Sequence, residues 1–215
     1  AFLLTALGQD YYPRVSAVSD QPAALRELVN RQHRFIMLLG VPIILVALAL
    51  VPTLIPLVYT SHFLPASDVL EWMLIGDIFK LGSWTMGYVI LARSRSSTLL
   101  VTEGITGAAW LAGGWIGIAW LGLTGIGVAY LVAYIVHLAA VWVVVRREIG
   151  FVWDSENFWL MAAAVLAAGV IRGLPLVGLT QIRTPVALCL GAAATAYSAY
   201  VIYHELGGVR RVRAA

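Results

Sequence analysis

Charged residues are scarce in this chain of 215 residues. Asp, Glu, Lys and Arg together make up 12% of it, whereas 61% is hydrophobic and the mean hydropathy is +0.88. A soluble domain has about 25% charged and about 45–50% apolar residues. The apolar runs here are continuous and about 20 residues long, unlike the alternating segments of an outer-membrane barrel. The composition therefore predicts an all-α, polytopic membrane helix bundle.

Cysteine is almost absent, and so are the signatures of membrane enzymes and metal centres. The single cysteine, Cys189, lies in an apolar run, which excludes a disulfide within one chain. There is no GxSxG elbow, no histidine followed five positions later by aspartate, and no group with metal-ligand spacing. We therefore predict a protein without enzyme activity, cofactor or metal.

The hydrophobic runs predict seven membrane spans. Each complete span has the roughly 20 residues needed to cross a hydrocarbon core of about 30 Å. The first is partial, and because Ala1 opens an apolar run with no basic stretch before it, we expect a fragment that lacks its N-terminal portion. The spans are Ala1–Val18, Phe35–Tyr59, Val69–Ala92, Ser97–Leu121, Thr124–Val145, Phe158–Val177 and Thr184–Tyr203.

Arginine is concentrated in alternate connections between the spans. Under the positive-inside rule, these arginine-rich segments face the cytoplasm, and so does the C-terminus. The same pattern accounts for the net charge of +3, so no nucleic-acid partner is expected. The basic residues concerned are Arg26, Arg31, Arg34, Arg93, Arg95, Arg146, Arg147, Arg210, Arg211 and Arg213.

The stretch SDQPAALRELVNRQHR, between the first two spans, predicts a short separate helix on the inner surface. Its apolar and amide side chains fall near one face, with arginines around them. This pattern is typical of a connector lying among lipid headgroups. A gating elbow is the alternative. The residues of that face are Leu25, Leu28, Val29 and Gln32.

The third span carries an acid and a base near its middle, Asp77 and Lys80. Each charge at mid-membrane costs about 2.5–3.5 kcal/mol on insertion scales. A spacing of three residues puts both on one helix face and allows an ion pair. Trp84, four residues after Lys80, lies on the same face. The pair is either structural, joining two helices, or it faces a polar cavity and touches a substrate or a coupling ion. Ionisable groups inside a membrane favour the second interpretation.

Other spans contain further charged residues. Asp10 and Arg14 are four residues apart in the first span, where Arg14 either reaches toward the headgroups or binds a substrate phosphate. Glu103 lies inside the fourth span, and His137 in the fifth is expected to be a packing residue. The candidate cavity residues are therefore Asp10, Arg14, Asp77, Lys80, Trp84 and Glu103.

Glycines recur in the fourth and fifth spans. No strand precedes those of GLTGIGVAY, which excludes a nucleotide-binding loop. We expect them to allow close helix packing. In the fourth span the same is expected of Gly107, Gly113, Gly114 and Gly117.

Five stretches follow one another along the chain: TALGQDYYPRVSAVS, RELVNRQHR, LLGVPIIL, LIPLVYTSHFLPASDVLEWMLIGDIFKLGSWTMGYVILA and GLTGIGVAYLVAYIV. Together they resemble landmarks of Wzx-type O-antigen flippases, in the polysaccharide-transporter branch of the superfamily that includes MATE exporters and the lipid II flippase. The resemblance implies two six-helix lobes around a cavity that works by alternating access. Residues 1–145 would be most of the second lobe, 146–157 a connector, 158–203 two additional helices and 204–215 a basic cytoplasmic tail.

The resemblance also implies a substrate and a location. The substrate would be an oligosaccharide on undecaprenyl pyrophosphate, translocated across a bacterial cytoplasmic (inner) membrane, with proton or Na⁺ coupling left open. Membrane lipids, a polysaccharide polymerase and a chain-length regulator are the implied partners. A MATE-like, cation-coupled exporter of small molecules and a non-transporting membrane subunit of polysaccharide assembly remain as alternatives.

Overall fold

The computed structural model describes residues 2–58, 63–93 and 95–213, and the side chains of residues 4–58, 63–93 and 95–204. Within these ranges the chain folds into seven α-helices and a 3-10 turn, without a strand. The all-α bundle predicted from composition is thus confirmed. The helices are α1 (Phe2–Ala17), α2 (Pro22–Val58), α3 (Leu64–Ala92), α4 (Ser96–Leu121), α5 (Thr124–Ile149), α6 (Ser155–Gly173) and α7 (Thr180–Arg213), and the turn is Leu174–Val177.

The helices follow the predicted spans, with differences at their ends. Five are long and apolar enough to cross a membrane: α2, α4, α5, α7, and α6 together with its 3-10 turn. Helix α1 has only 16 residues, and α3 is interrupted by charged residues. Helix α7 continues past Tyr203 to Arg213, where a basic tail was predicted. The predicted span ends at Ala1 and Tyr59 lie outside the described residues.

The prediction of a separate surface helix before the second span is wrong. Helix α2 runs without a break for 37 residues, or about 55 Å at 1.5 Å per residue. Leu25 and Val29, which were expected to lie among headgroups, are completely buried. They pack with Ile149 and Phe151 in an apolar core, so protein replaces lipid around this part of the helix.

Helix α3 lies at the centre of the bundle, where it contacts α1, α2, α4, α5 and α6. One apolar core joins α3 to α2, α6 and α7, and a second joins it to α1, α2 and α5. We call the end of the bundle with the connections at residues 18–21, 93–95 and 150–154 the basic end. The end with the connections at 122–123 and 174–179 is the opposite end.

Glycine allows α5 to approach its neighbours closely. A Cβ atom on Gly127 would lie 2.5 Å from the carbonyl oxygen of Val69 in α3, and one on Gly125 would overlap the backbone of Gly117 in α4. The expected role in close packing is therefore confirmed here. At Gly107 and Gly114 no close contact is present among the described residues, because none of their atoms outside the helix's own backbone lies within 4 Å of the position that a Cβ atom would occupy. Close packing at these two glycines stays a prediction.

A buried ion-pair cluster joins α6 and α7 to α3 near the opposite end. Glu71 of α3 lies 2.6 Å from Arg183 of α7 and 3.4 Å from Arg172 of α6. Arg172 also contacts Asp68 at 3.1 Å and stands over the ring of Trp72. These contacts hold the last two helices against the central helix.

At the basic end, a buried amide pair holds the start of α6 against α2. The side chain of Asn157 donates to the carbonyl and amide oxygens of Asn30, at 2.9 and 3.0 Å. Asn30 also donates to the Val152 carbonyl and accepts from the Asp154 backbone N–H. The connection at residues 150–154 is thus fixed to α2 through one asparagine.

Candidate functional site

One face of α3 carries the candidate site. Its side chains recur every three or four residues, which places them in one stripe along the helix. From Lys80 to Leu91 the stripe extends about 16 Å at 1.5 Å per residue. It faces α4 and α5 across a groove with a volume of about 250 Å³. The groove is lined by Lys80, Ser83, Trp84, Gly87, Tyr88, Leu91, Leu99, Glu103, Tyr134 and His137.

Asp77 and Lys80 form the ion pair that their spacing predicts, and a tyrosine joins it. Lys80 Nζ lies 3.9 Å from Asp77 Oδ1. Between them, the Tyr130 hydroxyl of α5 accepts from Lys80 Nζ at 3.2 Å and donates to Asp77 Oδ1 at 2.8 Å. The long direct contact and the two shorter bonds show that the tyrosine is the main link between the two charges.

Lys80 is held among aromatic rings and remains partly accessible. Its Nζ stands 5.1 Å from the ring centre of Tyr134 and 5.8 Å from that of Tyr130, within the range of cation–π attraction. Its side chain is 39% exposed and lines the groove. It is also the one lysine in the whole sequence, where every other basic side chain apart from the histidines is arginine. An ammonium group with three donors can therefore use one on Tyr130 and offer others to a ligand.

Trp84 belongs to an aromatic cluster at the side of the groove that α1 covers. Its ring centre lies 5.8 Å from that of Tyr11 and 4.7 Å from that of Tyr88. Gly8 of α1 makes this approach possible, because a Cβ atom there would overlap the Tyr88 hydroxyl. The cluster fixes the indole in place and leaves part of it on the groove wall.

Glu103 meets a histidine across the groove. Its Oε1 lies 3.9 Å from Nε2 of His137 in α5. The other ring nitrogen of His137, Nδ1, lies 2.8 Å from the Thr106 hydroxyl. His137 is buried whereas Glu103 is 60% exposed, so the pair joins the interior to the groove surface.

Asp10 and Arg14 lie elsewhere. They pair with each other at 3.2 Å on α1, with side chains 76% and 40% exposed, and neither lines the groove. The structure thus brings Lys80, Trp84 and Glu103 to one groove, with Asp77 attached through Tyr130. A cavity role for Asp10 and Arg14 stays a prediction.

The sequence interpretation missed two tyrosines of α5 and treated His137 only as a packing residue. Tyr130, Tyr134 and His137 have the spacing of one helix face, and all three contact charged groups of α3 or α4. The signal was present in GVAYLVAYIVH as a polar and aromatic stripe within an apolar span. Without knowledge of what faces α5, it could not be distinguished from ordinary packing.

Two comparisons find similar proteins, and a third, with curated proteins, finds no match. Residues 1–68 match the model of a family described as "Polysaccharide biosynthesis protein". The match covers less than half of the chain and ends before the residues of the groove.

The fold is similar to that of the solved lipid II flippase MurJ in its inward closed conformation. The TM-score is 0.65 at 15% sequence identity, over 89% of this chain and 42% of that one. The chain therefore spans less than half the length of the flippase structure that it matches. The likeness shows that this bundle shares the fold of the matched part of that structure.

Proposed function

We propose that the chain is part of a flippase that moves a lipid-linked oligosaccharide across a bacterial cytoplasmic membrane by alternating access, with its basic end in the cytoplasm. The O-antigen repeat unit on undecaprenyl pyrophosphate is the proposed substrate. The observation that carries the proposal is the groove between α3, α4 and α5. It brings Lys80 and Trp84 of the central helix α3 together with Glu103 of α4, in a bundle whose fold is similar to that of a lipid II flippase.

The chemistry of the groove suits the polar part of such a substrate. A pyrophosphate and its sugars cannot enter hydrocarbon without replacement of their hydration, because burying unpaired polar groups costs several kcal/mol. The ammonium of Lys80 can contact a phosphate oxygen as a point charge. Trp84 and Tyr88 offer ring faces on which sugars can stack. With Arg14 outside the groove, phosphate binding within these helices depends on Lys80.

The groove is small and open, as expected if it forms only part of a larger cavity. A volume of about 250 Å³ is below the roughly 300–1,000 Å³ of a ligand pocket for a small molecule. The proposed substrate is larger still. We therefore assign to these helices one wall of the path, and the remaining walls to the part of the flippase that this chain does not span.

Leaflet transfer by the full-length protein tests the proposal. The purified protein is reconstituted into vesicles that contain a lipid-linked oligosaccharide, and the fraction reaching the opposite leaflet is measured over time. We expect transfer by the wild type and at least a tenfold slower rate for Lys80→Ala. Arg147→Ala is the matched control, since it removes an exposed cation at the basic end and should leave the rate unchanged.

Two outcomes would count against the proposal. A well-folded wild-type protein that transfers no lipid-linked sugar would contradict the flippase function. Normal transfer by Lys80→Ala would keep that function but remove the groove of α3 from it.

A further inference from the structure

The contacts of Thr106 determine which ring nitrogen of His137 carries a hydrogen. The Thr106 hydroxyl has one proton, and it lies 2.8 Å from the carbonyl oxygen of Thr102, which can only accept. With that proton used, the hydroxyl oxygen is an acceptor for His137 Nδ1, also at 2.8 Å. Nδ1 must then be the donor, and Nε2 of the neutral ring keeps its lone pair.

The lone pair on Nε2 lies on the side of the ring that faces Glu103. The Oε1 atom of Glu103 is 3.9 Å from Nε2. Both groups line the groove, so a proton from water in the groove can reach them. If one proton binds to Nε2, an imidazolium forms beside a carboxylate, and the pair gains a charge-assisted contact. Without that proton, the pair carries only the charge of Glu103.

Other ionisable groups surround the pair. From α3, Lys80 and Tyr88 line the same groove, and from α5 itself Tyr134 packs edge-on against His137 with ring centres 6.0 Å apart. Helix α2 also contacts α5 but contributes no residue to the described lining. Glu103 is thus the acid, and Lys80 the cation, that share the groove wall with His137.

We infer that Glu103, Thr106 and His137 form a proton-binding site on the groove wall, in which Thr106 directs the Nε2 lone pair of His137 toward Glu103. The site takes up one proton from water and releases it again, with no other change of bonding. Only the purpose of the site, which is to couple proton movement to lipid transfer, rests on the proposed function. The site itself can be tested without any substrate.

Nitrogen NMR of the full-length protein, labelled with ¹⁵N-histidine, tests the site directly. The His137 signal is assigned by its loss in His137→Gln. We expect the neutral ring to carry hydrogen on Nδ1, and Thr106→Val to move it to Nε2. Thr102→Val is the matched control, since the Thr102 hydroxyl donates to Leu99 and its removal leaves the Thr102 carbonyl in place. A wild-type ring with hydrogen on Nε2 would overturn the assignment.

A pH titration of the His137 signal tests the role of Glu103. Removal of the charge in Glu103→Gln should move the midpoint of the His137 titration to lower pH by about one unit, since an opposite charge at this distance commonly shifts such equilibria by about one to three units. An unchanged midpoint would overturn the role of Glu103.

Transfer under an imposed pH gradient tests the purpose of the site. We expect the wild-type rate to respond to the gradient at least threefold, and the ratio of the rates with and without the gradient to fall to one in His137→Gln, whatever the basal rate of that variant. A gradient response that persists in His137→Gln would contradict coupling through this site. If the wild type transfers no lipid-linked sugar, the proposed function fails, and the NMR result still decides whether the proton site exists.

Discussion

Glu71 of α3 lies 2.6 Å from Arg183 of α7, and its side chain is only 2% exposed. Arg172 of α6 contacts the same carboxylate at 3.4 Å. One buried acid therefore holds two helices that were interpreted from sequence as additions to the main bundle. Because α3 also carries Asp77 and Lys80, the α6–α7 pair is attached to the helix that forms the candidate site.

Removal of the Glu71 carboxylate should weaken the fold. Glu71→Ala leaves Arg172 and Arg183 buried without their shared partner, and breaking a buried pair in this way costs about 3–5 kcal/mol. The free energy of unfolding of the purified full-length protein measures the loss. Asp68→Asn is the control, since Asp68 is half exposed and its loss should cost no more than about 1 kcal/mol. Equal losses in the two variants would contradict a special role for Glu71.

Lys80 and Asp77 should both be needed for transfer. Lys80→Ala and Asp77→Ala should each reduce the rate to background, because one removes the ammonium and the other releases its anchor. The double variant Asp77→Lys with Lys80→Asp keeps the pair but reverses its position, and we expect no recovery. Full activity of the swapped protein would show that the pair only joins helices.

Tyr130→Phe tests whether the Tyr130 hydroxyl links Lys80 to Asp77. It removes the bonds to Lys80 and Asp77 and keeps the ring, so the two charges can close to a direct contact. We expect a Lys80 ammonium in direct contact with the carboxylate to be labelled more slowly by an amine reagent, which mass spectrometry of the lysine-bearing peptide measures. Tyr134→Phe is the control, since its ring contact with Lys80 needs no hydroxyl. Unchanged labelling in Tyr130→Phe would argue against the linking role of Tyr130.

A methyl group at Gly127 should push α3 and α5 apart. The new Cβ would lie 2.5 Å from the Val69 carbonyl oxygen, and such overpacking typically costs about 1–3 kcal/mol. Gly107→Ala is the comparison, since no packed neighbour among the described residues lies within 4 Å of its Cβ position and alanine gains up to about 1 kcal/mol of helix propensity. In thermal unfolding, the midpoint temperature of Gly127→Ala should be lower than that of the wild type, and the midpoint temperature of Gly107→Ala should be higher. A Gly127→Ala protein as stable as Gly107→Ala would contradict close packing at this point.

The sequence predicts features that depend on one helix at a time. The number of helices follows from the number of apolar runs, and the Asp77–Lys80 contact follows from a spacing of three residues. Features that depend on two helices could not be obtained in this way. Tyr130 is 53 residues from Asp77, and the buried start of α2 became visible only through its packing against Phe151. Nothing in the sequence pairs Arg172 and Arg183 with Glu71, because the three residues lie on three different helices.

Helix α3 is not among the five helices that are apolar enough to cross a membrane by themselves. During synthesis it emerges before α5, so Asp77 and Lys80 have only each other until Tyr130 has been made. We expect chains truncated before Thr124 to insert α3 inefficiently and chains extended beyond Ile149 to insert it fully, which glycosylation mapping of engineered acceptor sites can measure. The charges that make the groove polar would thereby also set the order in which the bundle is assembled, with the central helix taking its place in the bilayer only after α5 has been made.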